Sequence, residues 1–346
     1  MRQWFVIVCV VLLSVSSGAH ATKYAGEFMT LGGGARALAM GSAFTAIADD
    51  ATATYWNPAG VALLPSLEGS PKGWQAIFMH AEQFGDLLDF DFFAAAFPLK
   101  AGESAWGFTF IHLGIPDIRI IPLLPGMIGN SNGDDILDDG ELINFNPEDF
   151  PLESANDYAA MFSYAQRLGF GQAGASVKLI RNDQVTGVSS FGIGLDLAFI
   201  RRDLWRNIGV GVKLQDATGT YISWSTGRRE FIYPTLKLGV AYPVKIAAMN
   251  STVTIAADGD FRYENRRGAS QLWLGRASAD FHFGGEILIR DLVAVRGGWD
   301  MGRPTAGMGL LVHDISAWHV SLGLDYALLL HDKLNNTHRV SLMISH

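Results

Sequence analysis

Between Trp74 and Ser345 the chain repeats one pattern: segments of about ten residues in which large apolar side chains alternate with Gly, Ser or charge. In one of them Phe191, Ile193, Leu195, Leu197 and Phe199 share a face, and Gly192, Gly194, Asp196 and Ala198 share the other. Ile208, Val210, Val212 and Leu214 repeat it against Gly209, Gly211 and Lys213, as do Val320, Leu322, Leu324, Tyr326 and Leu328 against Ser321, Gly323, Asp325 and Ala327. Val340, Leu342 and Ile344 close the series opposite Arg339, Ser341 and Met343. A strand with two such unequal faces needs two unlike environments, one apolar and one polar or tightly packed.

About fourteen such segments can be counted, an even number, which suits an antiparallel barrel whose ends lie on one side of a membrane. Past the N-terminus no run of about 18 apolar residues exists, so a membrane crossing has to be made by strands. With the first strand running outward, the three longest connections, Gly114–Asn156, Asp216–Pro234 and Arg262–Ala277, all fall on the outer side. Long outer loops and short inner turns are a barrel's habit, and a soluble sandwich, the alternative, has no reason to segregate them. The fold expected is therefore all-β: a transmembrane antiparallel β-barrel over residues 71–346, with 114–156 as a long extracellular loop. A mean hydropathy of +0.18 excludes a disordered chain, and a pI of 5.6 argues against nucleic acid as a partner.

The N-terminus reads as an export signal over residues 1–21, with Arg2, an apolar stretch from Trp4 to Leu13, and Ala19-His20-Ala21 as the cleavage site. Cleavage after Ala21 sends the chain to the bacterial outer membrane. It also removes the one cysteine, Cys9, so no disulfide or Cys-ligated metal is expected. Lys23 to Pro65 differs in texture, rich in Ala and Gly with Asp49 and Asp50 in its middle and without alternation, as a separate small element would.

The inward faces would carry Lys178, Lys213, Lys237, Arg296 and Arg339 with Asp196, Asp258, Asp280, Glu286, Asp300 and Asp325. With the two signs nearly balanced, such a lumen suits a water-filled passage or a packing surface for a plug.

From Gly32-Gly33-Gly34-Ala35-Arg36 through Asp49-Asp50-Ala51-Thr52-Ala53-Thr54-Tyr55-Trp56-Asn57-Pro58-Ala59-Gly60, the sequence resembles the N-terminal signature of the PorV/PorQ family of outer-membrane proteins, relatives of the FadL transporters. Gly323-Leu324-Asp325-Tyr326-Ala327 and Thr337-His338-Arg339-Val340-Ser341-Leu342 are similar to that family's last strands, although this chain ends in His346 rather than an aromatic residue. The resemblance implies a fourteen-stranded barrel with residues 22–70 folded into the lumen as a hatch, the Asn57-Pro58-Ala59-Gly60 turn at its tip. The local chemistry agrees: Asn57 can bond its own turn, Pro58 fixes φ, and Gly60 is free to take φ > 0.

In the longest outer loop Asn130, Asn132, Asp134, Asp138 and Glu141 fall at positions 1, 3, 5, 9 and 12 of a calcium loop, with the Ile136 carbonyl at position 7. Calcium there would staple the loop; the alternative is an acidic, solvated tip, and no cofactor is required. The same loop carries Ile115, Ile118, Ile120, Ile121, Leu123 and Leu124 among prolines, a cluster that folds over the mouth or meets a partner. The nine histidines are scattered and no nucleophile elbow or phosphate loop occurs, so no enzyme is expected. Two roles remain. The closer resemblance implies a type IX secretion component that receives exported cargo at the cell surface, with secreted proteins and other secretion components as partners. The alternative is a FadL-like channel taking up hydrophobic small molecules; either would sit in outer-membrane lipid.

Overall fold

The computed structural model describes residues 26–64, 73–83, 87–100, 103–120, 148, 150–185, 187–315, 320–331 and 336–346. Strands β1 (Gln75–Gln83), β2 (Leu88–Lys100), β3 (Ser104–Arg119), β4 (Leu152–Leu168), β5 (Gly171–Asp183), β6 (Ser189–Trp205) and β7 (Ile208–Gln215) form the first half of one antiparallel sheet. After the short β8 (Thr220–Trp224) and β9 (Arg229–Ile232) come β10 (Thr235–Ile246) and β11 (Ser251–Tyr263). The short β12 (Leu272–Leu274) precedes β13 (Ala277–Ile289), β14 (Val293–Asp300), β15 (Arg303–Ile315), β16 (Val320–Leu329) and β17 (Thr337–Ser345).

Leaving out the three short strands, β7 pairs with β10, β11 with β13 and β1 with β17, so the sheet closes as a 14-strand barrel. The seam runs from Gln75↔Ser345 to His80↔Val340, and Trp74 and His346 exchange two backbone hydrogen bonds of 3.0 Å beyond it.

The alternation read from sequence sorts as a barrel requires. Trp106, Ile193, Leu238, Ile255, Met308 and Leu342 stand exposed on the outer wall, while their chain neighbours point inward. An outer wall this apolar has lipid as its solvent. Short turns gather at one end: Gly169-Phe170 joins β4 to β5, and Arg206-Asn207, both in the left-handed region at φ 48 and 68, join β6 to β7.

At the other end the long connections are more ordered than the sequence suggested. β8 continues β7 after a bulge at Asp216–Gly219 and pairs with β6 from Ser190↔Trp224 to Ile193↔Tyr221, and β9 folds back on β8. β12 pairs with the start of β13, and β3 extends to Arg119. The segments 216–234 and 262–277, expected as loops, are thus partly hairpin extensions above the rim. Their strands span only 5, 4 and 3 residues, too short for alternation to show.

Residues 26–64 lie inside the barrel. They form single helical turns at Glu27–Leu31, Ala35–Ala39, Ala53–Trp56 and Pro58–Leu63, joined by irregular backbone. Ala35–Ala39 packs on β14 to β17 and Pro58–Leu63 on β3 to β6, so the segment crosses from one wall to the opposite one.

Candidate functional site

The site is the junction between this inner segment and the wall. Its closeness rests on glycines facing inward on paired strands. Gly284 of β13 pairs with Gly298 of β14, and a Cβ on either would meet the Met40–Gly41 backbone at 2.2 Å. Gly211 of β7 pairs with Gly239 of β10 and lies under Thr45, whose carbonyl would be 2.1 Å from a Cβ at Gly211. Two notches in the wall therefore seat two turns of the inner segment.

Asn57-Pro58-Ala59-Gly60 is buried and starts a 3-10 turn. The Asn57 carboxamide accepts from the Ala59 N–H at 3.1 Å and donates to the carbonyls of Thr45 at 2.7 Å and Phe199 at 3.3 Å. It caps its own turn and ties it to both the inner segment and the wall. Gly60 does not use the φ > 0 freedom expected of it; a Cβ there would lie 2.0 Å from the Ala48 carbonyl, and this contact is what demands glycine.

The inward charges fall into clusters, several completed by residues the sequence reading passed over. Lys178 binds Asp196 at 2.9 Å and Asp216 at 2.6 Å, and Lys213 binds Asp196 at 3.0 Å and donates to the Tyr55 carbonyl at 2.6 Å. Asp258 accepts from the Thr45 N–H at 2.7 Å. Lys237 pairs with Asp260, Arg266 with Asp280, and His282 with Asp300 at 2.8 Å. Glu286 and Arg296 meet at 2.7 Å, and Arg296 reaches Asp325 at 2.5 Å. Arg339 differs: among the described residues its guanidinium has no ion-pair partner, and it lies over the Phe90 ring at 5.2 Å with Nε and Nη1 buried and unbonded.

Arg36 is the hub on the inner segment. It forks onto Glu286 at 2.9 and 3.0 Å and also binds Asp49 at 2.6 Å and Asp50 at 3.2 Å, while Arg202 of β6 holds Asp49 at 3.0 Å. Burial works against the Arg36 charge, but Asp49 and Glu286 outweigh it and hold the guanidinium protonated well above its usual range. Burial would also raise Asp49, yet Arg36 and Arg202 keep it below the usual carboxylate value; at Asp50 burial wins and the carboxyl is pushed up.

This cluster borders a cavity of about 760 Å³ at the short-turn end of the barrel. Gly34, Ala35, Arg36 and Leu64 of the inner segment line one side, and Ile77, Leu288, Leu311 and Met343 of the wall line the other. Polar side chains, among them Gln75, His313, Ser321 and Asp325, are interspersed with these, so the space combines apolar surface with several hydrogen-bonding groups, the general form of a small-molecule site.

The six residues of the expected calcium loop, Asn130, Asn132, Asp134, Ile136, Asp138 and Glu141, lie outside the described residues, as do the signal segment and most of the apolar loop. Two histidines that sequence spacing left apart do meet: His80 and His112 share the carboxylate of Asp91 at 2.8 and 3.2 Å on the outer wall. Nothing in the linear order of three strands signals that contact.

Among solved structures, the toluene transporter TbuX of Ralstonia pickettii matches with a TM-score of 0.54 at 14% identity, over 91% of this chain and 97% of that one. The P. putida toluene transporter TodX gives 0.55 at 11%, over 91% and 97%, and a FadL homologue of Pseudomonas aeruginosa 0.50 at 10%, over 89% and 96%. No family model matches the sequence, and no curated protein matches it. At such identities the likeness is one of fold: the chain folds as a fourteen-strand antiparallel barrel like these proteins, and the PorV/PorQ resemblance rests on the sequence motifs alone.

Proposed function

We propose that the protein is an outer-membrane passage for hydrophobic small molecules, with the segment 26–64 as its hatch and the cavity beneath Arg36 as a station on the route. The observation that carries this is the cavity itself: about 760 Å³, with Ile77, Leu288, Leu311 and Met343 set among polar wall residues such as Gln75, His313 and Ser321, and bounded by the segment that has to move for anything to pass. Neighbours in fold named as toluene transporters and a monoaromatic hydrocarbon channel support uptake over the cargo-receiving role that the sequence resemblance put first. The short-turn end is taken as periplasmic, which makes the cavity the inner end of the path. Non-enzymatic passage needs no cofactor, and the lumen charges serve to seat the hatch.

Organic extraction of the barrel, purified gently from its native membrane and followed by mass spectrometry, tests the reading. A stoichiometric hydrophobic compound that is lost in Leu311→Trp, a cavity-filling change, is the expected result. Absence of any such compound together with recovery of secreted proteins and secretion components would overturn it.

A further inference from the structure

A second concave site lies far from the hatch, at the rim opposite the short turns. The connection between β11 and β13 folds into a turn at Arg267–Ala269 and the strand β12, and between them Asn265, Arg267, Trp273, Gly275 and Arg276 line a hollow of about 390 Å³. From Arg262 to Arg276 the chain carries four arginines and one carboxylate, Glu264. Arg262 and Arg266 turn inward to Asp280, whereas Arg267 and Arg276 have no carboxylate partner among the described residues. Arg276 lies over the Tyr263 ring at 5.3 Å, and the Arg267 Nε–H donates to the Asn265 side chain at 3.2 Å. Arg267 also sits at φ 45, a left-handed conformation costly for a long side chain and kept only where the surroundings hold it.

β12 lies in register with the start of β13. Leu272 and Leu274 oppose Ala279 and Ala277 of β13, which stand on the lipid-facing side, and Ala277 also opposes Tyr263 of β11. Leu274 is 85% exposed and Tyr263 63%, so the apolar outer wall continues upward to the level of the two arginines. An apolar face topped by two unneutralised guanidiniums matches an acyl chain topped by a phosphate, and arginine forks suit phosphate oxygens.

We propose that this hollow binds the phosphate of an outer-leaflet glycolipid, with Arg267 and Arg276 on the phosphate and Leu272 and Leu274 against its acyl chains. The assignment rests on the outer-membrane placement above and is independent of what the hatch admits. Native mass spectrometry of the barrel extracted in mild detergent gives the test, with Arg267→Ser/Arg276→Ser and Leu272→Ser/Leu274→Ser as variants. Thermal unfolding matched to wild type shows that both fold, since these side chains stand outside the barrel's packing. Wild type is expected to carry one phosphorylated glycolipid, each variant to lose it by roughly tenfold, and inorganic phosphate in excess to leave it in place. Returning glycolipid to the delipidated wild type should restore the adduct, and its dephosphorylated form should not. Equal retention by the arginine variant overturns the proposal. So does displacement by inorganic phosphate with the leucine variant unaffected, which makes the hollow a free-phosphate site. Failure of the phosphorylated lipid to rebind likewise overturns it, whereas loss of the hydrophobic compound from the cavity would bear only on the hatch.

Discussion

Gly284→Ala is the smallest change that tests how the inner segment is held. The new methyl group points into the lumen, 2.2 Å from the Met40 carbonyl oxygen and 2.9 Å from its carbon and Cβ. That oxygen has to withdraw by about 1 Å to regain ordinary contact, in a core that tolerates little added volume. It already accepts from the Ala43 N–H at 3.2 Å, and the adjacent Ala39 carbonyl accepts from Thr305 Oγ1 at 3.0 Å. Overpacking of this kind costs about 1–3 kcal/mol, and weakening one of these bonds adds about 1 kcal/mol. The seated state should lose about 2–4 kcal/mol, which is roughly 30- to 1,000-fold in the equilibrium between seated and displaced forms.

Gly285→Ala is the control, one residue along the same strand and on the outer face, where a Cβ meets only the Thr254 carbonyl at 3.8 Å. Hydrogen exchange read by mass spectrometry over residues 35–48 measures local opening directly. Gly284→Ala should lose protection there while β13 and β14 keep theirs, and Gly285→Ala should match wild type. Unchanged protection in Gly284→Ala, or equal loss in both variants, would refute the notch as the seat of the segment.

Arg36→Ala leaves Glu286 paired to Arg296 and Asp49 held by Arg202 alone, and it removes the ion pair of Asp50, so it is expected to raise the conductance of single barrels in planar bilayers; unchanged conductance removes Arg36 as an anchor of the inner segment. Asn57→Ala deletes the cap on Ala59 and both donated bonds, with an expected cost of about 1–3 kcal/mol visible as faster exchange at residues 57–63. Asp49 is held below the ordinary carboxylate range, so its contribution is complete above about pH 4 and is lost as pH falls through its lowered value. Asp49→Asn should accordingly lower hatch protection at neutral pH, with the difference from wild type closing in acid; a constant difference would deny the ion pair its role.

The strands could be read because their two faces meet lipid and lumen, and period-two alternation survives as long as a segment runs about eight residues or more. β12, with all three residues exposed, has no inner face to write a pattern on. The lumen charges show the same boundary. Asp260 and His282 share the inward parity of Asp258 and Asp280 and were open to the same reading, whereas Asp216 sits in a bulge and Arg36 in a segment without period. Gly211 and Gly284 were visible as small inward residues, but what they accommodate lies more than a hundred residues away in the chain. Gly60 shows a limit of another kind: its need was read as conformational and is steric.

The composition of the inner segment follows from where it lies. Irregular backbone at membrane depth is tolerated only when its N–H and C=O groups find partners, and here the wall's inner face supplies them side chain by side chain. Ser341 accepts from Ala35 at 2.8 Å, Asp258 from Thr45 at 2.7 Å and Gln75 from Ala51 at 2.6 Å, while Lys213 donates to Tyr55 at 2.6 Å. Large side chains would hold these groups apart, which is why alanine and glycine dominate the contact. It also sets how firmly the segment is held. Each of these bonds can be exchanged for one to water at a net cost of about 0.5–1.5 kcal/mol. The firmer hold is apolar: Leu38, Met40, Phe44 and Trp56 of the segment are buried in one cluster with Phe90, Phe92, Ile111 and Met161 of the wall, and displacing the segment forfeits that burial.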